Sequence, residues 1–282
     1  MLKERIITAL ILIPLAIGWM FFLPLPIFAL GAVLLFLLAG REWGRFVLTD
    51  RPYRIVLPFG ALLALSLWLD LPGLLHGSGV GNAVHSILYA GAMWWCLALV
   101  MVLRYPKWTS WWQGSRWVKS LFGLLTLLPF FWSLLLLRSY EYALHPQLGG
   151  WILFLVMLLV WCADSGAYFV GRAIGRHKML PAVSPKKTVE GLVGGLFLST
   201  CVAAYVAYSC AFSFHQGLIL VISSMLAVLA SVLGDLSESL FKREAGIKDS
   251  GSLLPGHGGV LDRIDSLTPA LPVFVVSYLL LS

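Results

Sequence analysis

SLFKREAGIKDSGSLLPGHGGVLDRID, from Ser239 to Asp265, is the stretch around which the rest of this chain is built. Lys242, Arg243, Glu244, Lys248, Asp249, Asp262, Arg263 and Asp265 fall inside it, with His257 in a Gly-rich turn, although only 12% of the whole chain is charged. Long apolar runs lie on both sides of it. Hydrocarbon offers no partners to backbone polar groups and disfavours charge, so such a segment belongs at a membrane surface or around a water-filled cavity.

Working outward, the 282 residues are 60% hydrophobic, with 12 Trp and 16 Phe and a mean hydropathy of +0.89. That is more apolar surface than a soluble core could bury, and it predicts an all-α, polytopic integral membrane protein. Apolar runs at 6–22, 27–38, 55–71, 85–103, 118–137, 151–170, 191–212, 218–240 and 267–281 read as nine spans. Lys3 and Arg5 precede the first run in the manner of a signal peptide, but no small-residue cleavage site follows, so it reads as a retained span. The expected division is an N-terminal transmembrane region, 1–150, of about five spans and a C-terminal catalytic region, 151–282, of about four.

The basic residues test this topology. Two lie in the N-terminal tail, four in 41–54, four in 104–119, five in 172–187 and four in 242–263, which are alternate loops; only Arg138 falls on the other side. The positive-inside rule then puts the N-terminus in the cytoplasm and the C-terminus outside. The net charge of +7 is a signal of topology and anionic lipid, and no nucleic-acid partner is expected. Trp108, Trp111, Trp112 and Trp117 read as an interfacial belt. Cys96, Cys162, Cys201 and Cys210 fall in apolar runs without metal or redox spacing and read as small buried hydrophobes.

Both signs of charge at one place point to a phosphate-bearing ligand with a hard cation. Lys242, Arg243, Lys248 and Arg263 suit phosphate oxygens, and Asp235, Asp249, Asp262 and Asp265 suit a cation that bridges phosphates. Asp262 and Asp265 are three apart and would share a face if a helix begins there. The 255–259 turn, Pro-Gly-His-Gly-Gly, lets backbone N–H groups approach an anion. Asp164, Asp235 and Glu238 lie within or at the ends of spans, where a carboxylate costs about 2.5–3.5 kcal/mol on insertion scales and so faces a polar cavity. Gly166, Gly171, Gly175, Gly191, Gly194 and Gly195 would let helices approach closely around them.

The 239–265 pattern, S-x2-K-R-x4-K-D-x-G-x2-L-P-x-H-G-G-x2-D-R-x-D, resembles the signature of the phosphatidate cytidylyltransferases. Ser184-Pro185-Lys186-Lys187-Thr188-Val189-Glu190-Gly191 and Asp164-Ser165-Gly166-Ala167-Tyr168 resemble two further motifs of that family. The resemblance covers the chain from about Trp161 onward. It implies transfer of CMP from CTP to phosphatidic acid in a bacterial inner membrane, with the active site facing the cytoplasm. It also implies Mg²⁺, with room for a second cation, held by Asp235, Asp262 and Asp265, with Asp249 as a further candidate. Asp262, Asp265, Lys248 and His257 are the expected catalytic residues, with shaping of its own turn as the alternative role for His257. Ser184, Lys186 and Lys187, with Lys242, Arg243 and Arg263, are expected to bind substrate. The bilayer is a partner, and a homodimer is compatible with this. The alternatives are a CTP-dependent lipid kinase of the polyprenol or phytol type and, further off, a cation-coupled transporter. Pro185 disfavours helix at Ser184, which places Lys186 and Lys187 at the start of the seventh span.

Overall fold

The computed structural model describes residues 2–48, 50–77 and 79–282, with all their side chains except those of 2–7 and 9. Each apolar run becomes a helix, since only internal hydrogen bonding satisfies the backbone in lipid. α1 is Leu2–Phe22, α2 Leu25–Val47, α3 Val56–Leu75, α4 Asn82–Arg104, α5 Arg116–Ser139, α6 Leu148–Ile174, α7 Val189–Ser209 and α8 Phe214–Glu244; the short α9, Leu261–Ile264, leads into α10, Leu267–Leu281. Among the described residues, seven helical stretches are long and apolar enough to cross a membrane, whereas 10–22 of α1 and all of α10 are shorter apolar helices. The count of nine crossings therefore rests on those two.

α5 forms the interior of the bundle, with 67% of its apolar stretch buried against 22% for α7, whose outer side is left to lipid. Trp132 on α5 is fully enclosed and donates to Ser66 Oγ at 3.1 Å. Six residues further along α5 Arg138 is buried too, donating to the carbonyls of Pro146 at 2.8 Å and Leu23 at 3.0 Å. The one basic residue that stood apart in the charge pattern is thus a staple between loops.

α6 and α7 cross backbone to backbone, as their glycines foretold. A Cβ on Gly166 would lie 2.9 Å from the Gly194 carbonyl oxygen, and one on Gly195 would run into that of Ala163. No larger side chain fits these positions without separating the helices, and the 163–171 segment of α6 would then shift from α7.

Four expectations need correction. The second span does not stop at Leu38: α2 runs on to Val47, because Glu42, Trp43 and Phe46 are packed inside and not left in a solvated loop. Lys186 and Lys187 do not begin the seventh span: they lie on a strand of a small antiparallel hairpin, β1 (Lys178–Leu180) and β2 (Ser184–Thr188), and Thr188 caps α7 by accepting the Gly191 N–H at 3.2 Å. Trp112 leaves the interfacial belt: it is 1% exposed and packs on Phe122 and Phe241, while Trp108, Trp111 and Trp117 remain exposed. The cysteines are unpaired, but Cys96, Cys201 and Cys210 are on outer faces, since lipid removes the drive to bury apolar side chains.

Candidate active site

The site is assembled on the last turns of α8, where the sequence switches from apolar to charged. Asp235, Glu238 and Lys242 follow one another at helical spacing, so their side chains point the same way. Lys242 bridges Glu238 at 3.4 Å and Asp262 at 2.9 Å. Lys187, reaching in from β2, meets Asp235 Oδ2 at 2.6 Å. Asp164 on α6 interacts electrostatically with both Lys187 and Asp235, and Asp265 with Asp235, Glu238 and Lys242. Signs alternate along this row, apart from the crowded stretch Asp235, Asp265 and Glu238.

Beside the row opens a cavity of about 360 Å³, bounded by α6, the hairpin, α7 and α8. Asp164, Tyr168, Arg172, Lys186, Lys187 and Thr188 line it. Arg172 donates to the Tyr168 hydroxyl at 3.0 Å, and the Glu190 carboxylate anchors the hairpin by taking His177 Nδ1 at 2.6 Å and the His177 N–H at 3.2 Å.

The signature loop lies at the other end of the row. Gly256 and Gly258 adopt positive φ, +73° and +83°, which explains glycine at both. The turn is closed by Leu254 N–H to the Gly258 carbonyl and His257 N–H to the Leu254 carbonyl, each 2.9 Å. His257 is half-buried, and among the described residues its Nδ1 has no hydrogen-bond partner. Thr8 Oγ1 of α1 donates to the Pro255 carbonyl at 3.0 Å.

The two signature aspartates do different things. Asp262 takes N–H bonds from Gly259 at 2.8 Å and Ser250 at 2.9 Å as well as the Lys242 ammonium. Burial works against its charge, yet Lys242 and these donors outweigh it and hold its pKa below the ordinary carboxylate value. Asp265 has one local donor, the Ser266 N–H at 2.7 Å. Burial, then the neighbouring Asp235 charge, push its carboxyl up to about 6. The shared face expected for the pair is realised only in that both turn toward α8.

Of the predicted site residues, Asp235, Asp265, Lys187 and Lys242 converge on the row, and Lys186 joins them at the cavity wall. Ser184 lies at the far end of β2, paired with Leu180. Arg243, Lys248, Asp249 and Arg263 are exposed, and Asp249 enters only through its carbonyl, which accepts from Arg45 at 3.3 Å. Lys242, held between two carboxylates, is tied into the fold.

Among the described residues no three His, Cys, Asp or Glu come together as a metal site. The donors nonetheless suit Mg²⁺, which commonly takes one or two protein carboxylates and completes its shell with waters and substrate phosphates. Asp235 and Asp265 are the pair whose repulsion a cation would relieve. Asp262 could join only by giving up bonds that shape the loop.

Sequence reasoning missed Glu42 and Arg45. Glu42 is 7% exposed and accepts from the Val260 N–H at 3.0 Å, the Leu261 N–H at 2.7 Å and Ser250 Oγ at 3.1 Å. Arg45 donates to the Ser250 carbonyl at 2.8 Å. The signal was present: Gly40-Arg41-Glu42-Trp43-Gly44-Arg45 is a charged patch directly continuing an apolar run.

A bundle of apolar helices enclosing a row of carboxylates and lysines defines an all-α polytopic membrane protein with a mixed-charge internal site. The chain matches the Cytidylyltransferase family over residues 3–281, and it belongs to that family. It is 43% identical over 274 residues to the phosphatidate cytidylyltransferase of Pseudomonas aeruginosa, covering 97% of this chain and 96% of the relative. It is 39% identical over 289 residues to that of Haemophilus influenzae, covering 99% of each. A phosphatidate cytidylyltransferase of Staphylococcus saprophyticus is 50% identical over 134 residues, 48% of this chain and 51% of the relative.

Proposed function

We propose that this protein transfers CMP from CTP to phosphatidic acid, giving CDP-diacylglycerol and pyrophosphate. Full-length similarity to two proteins named phosphatidate cytidylyltransferase, at 43% and 39% identity, carries this function. The mixed-charge cavity among membrane helices supports it, because one substrate is a lipid and the other a soluble polyanion. A phosphate oxygen of phosphatidic acid attacks the α-phosphorus of CTP, and the bond from that phosphorus to the pyrophosphate oxygen breaks. The attacking phosphate is already anionic and needs little help from a base, so charge neutralisation and positioning carry the catalysis. Lys186 and Lys187 hold the triphosphate, and Tyr168 and Arg172 form the wall of the cavity on α6. Asp235 and Asp265 would hold Mg²⁺, which supplies neutralisation of charge on the phosphate oxygens. A second cation would have to draw on Glu238 or Asp164.

Purified protein in detergent, given CTP, Mg²⁺ and phosphatidic acid, is expected to release pyrophosphate and form CDP-diacylglycerol, and to stop when EDTA removes the metal. Release of CDP from CTP with phosphorylation of a lipid alcohol, and no pyrophosphate when phosphatidic acid is the acceptor, would transfer the site to the lipid kinases.

The placement that goes with this function is a bacterial inner membrane, with nine crossings, the N-terminus and the site in the cytoplasm and the C-terminus outside. A reporter fused after Ser282 is expected on the external side and one inserted at the 181–183 turn in the cytoplasm. The same side for both would break the nine-span arrangement.

A further inference from the structure

The loop that leads into Asp262 is gripped from both sides. On one side Asp262 takes the Ser250 and Gly259 N–H groups. On the other, Glu42 accepts from Ser250 Oγ and the Val260 and Leu261 N–H groups, and Arg45, one turn along α2, donates to the Asp249 and Ser250 carbonyls. Ser250 is therefore fixed through its N–H, hydroxyl and carbonyl at once. Gly251 and Gly259 are pressed on the Glu42 carboxylate so closely that a Cβ on either would collide with it. A buried carboxylate is costly unless its oxygens are filled, and an apolar residue would pack at this depth more cheaply. What the charge adds is the shape of the loop.

We infer that Glu42, assisted by Arg45, is a positioning residue for the transfer reaction. It acts through the 249–261 loop, setting the start of α9 and with it the places of Asp262 and Asp265. This rests on the function proposed above. It ties α2, from the half of the chain that carries none of the signature motifs, to the chemistry of the other half. The relevant contacts span 204 to 219 residues of sequence.

Glu42→Gln keeps the size of the side chain but turns one acceptor oxygen into a donor that faces N–H and hydroxyl donors. Hydrogen exchange of the detergent-purified protein, without substrate, is expected to quicken about tenfold at the 250 and 260–261 amides, the equivalent of one charged hydrogen bond, with the other helices unchanged. The same variant should lose about a hundredfold in kcat, the usual cost of a misplacement near 1 Å, with the KM for CTP within about threefold of wild type. A kcat within about threefold of wild type, or a rise in KM alone, would overturn the inference. So would faster exchange spread through α2–α5, which marks general loosening. If Glu42→Gln does not fold, Ser250→Ala removes one of the three donors and must give the same local pattern to a smaller degree. A wild-type protein inert toward CTP and phosphatidic acid would overturn the proposed function and the catalytic half of this inference. The exchange measurement, which needs no substrate, separates that failure from the failure of Glu42 to hold the loop.

Discussion

Asp265→Asn is expected to lower CDP-diacylglycerol formation by at least about 10³-fold while leaving the protein folded and as stable as wild type or more so. The loss follows from removing one of the two carboxylates placed to hold the cation, whose charge stabilisation is worth several kcal/mol at about 1.4 kcal/mol per decade of rate. The retained fold follows from the local bonds. Asparagine can still accept the Ser266 N–H, and the bond from Thr268 Oγ1 to the Asp265 carbonyl, 2.8 Å, is untouched. Stability supplies an independent check with a definite sign. Burial and Asp235 hold the Asp265 carboxyl up at about 6, above its value in the unfolded chain, about 3.9. Its ionisation therefore disfavours the native state as pH rises from about 4 through 6. In EDTA the variant should melt with the wild type near pH 4 and above it at pH 7. Near-normal turnover at saturating Mg²⁺ would remove Asp265 from the site, and a lower melting point at pH 7 would show that its charge is compensated.

Asp262→Asn should differ in kind. An asparagine there must turn its NH₂ toward the Ser250 or Gly259 N–H or toward Lys242, setting donor against donor. Two adjacent aspartates of one signature, alike in sequence, are thus separated by what they touch.

The helices and the mixed-charge segment were legible because both are local properties. Nine apolar runs announce helices wherever they pack, and the glycines of 166–175 and 191–195 carry their meaning in having no side chain. What escaped was set by partners far along the chain. Glu42 fell within the charged 41–54 loop with nothing to single it out, since its donors lie 208 to 219 residues away. Trp112 looked like its neighbours Trp108 and Trp111, and it is buried by packing on Phe122 and on Phe241, the latter at 5.5 Å and far along the chain. Ser184 to Thr188 was misplaced for a different reason. Proline at 185 excludes helix, but choosing between a loop and a strand required β1, whose Lys178 and Leu180 pair with Thr188 and Ser184.

Lys187→Ala is expected to reduce kcat/KM for CTP by roughly 10- to 150-fold, chiefly through KM, and to change the dependence on phosphatidic acid much less. Lys187 meets Asp235 at 2.6 Å on the cavity wall, with the two side chains 25% and 34% exposed, so its ammonium is both fixed in place and open to a ligand. A charge-assisted hydrogen bond is worth about 1.5–3 kcal/mol, which at about 1.4 kcal/mol per decade gives that range. General attraction of a lysine to anionic headgroups is worth about 1 kcal/mol, near fivefold, and would appear in the lipid dependence. Magnitude as well as substrate therefore separates the two roles. Asp235, being partly exposed, can be solvated when its partner is lost, so the variant should fold. Lys186→Ala, at a more exposed position on the same strand, should give the smaller defect of the two. Initial rates in mixed micelles, with CTP varied at fixed phosphatidic acid and the reverse, measure both constants. An unchanged CTP dependence, with the defect confined to phosphatidic acid, would move Lys187 to the lipid phosphate and leave the nucleotide to be held elsewhere in the cavity.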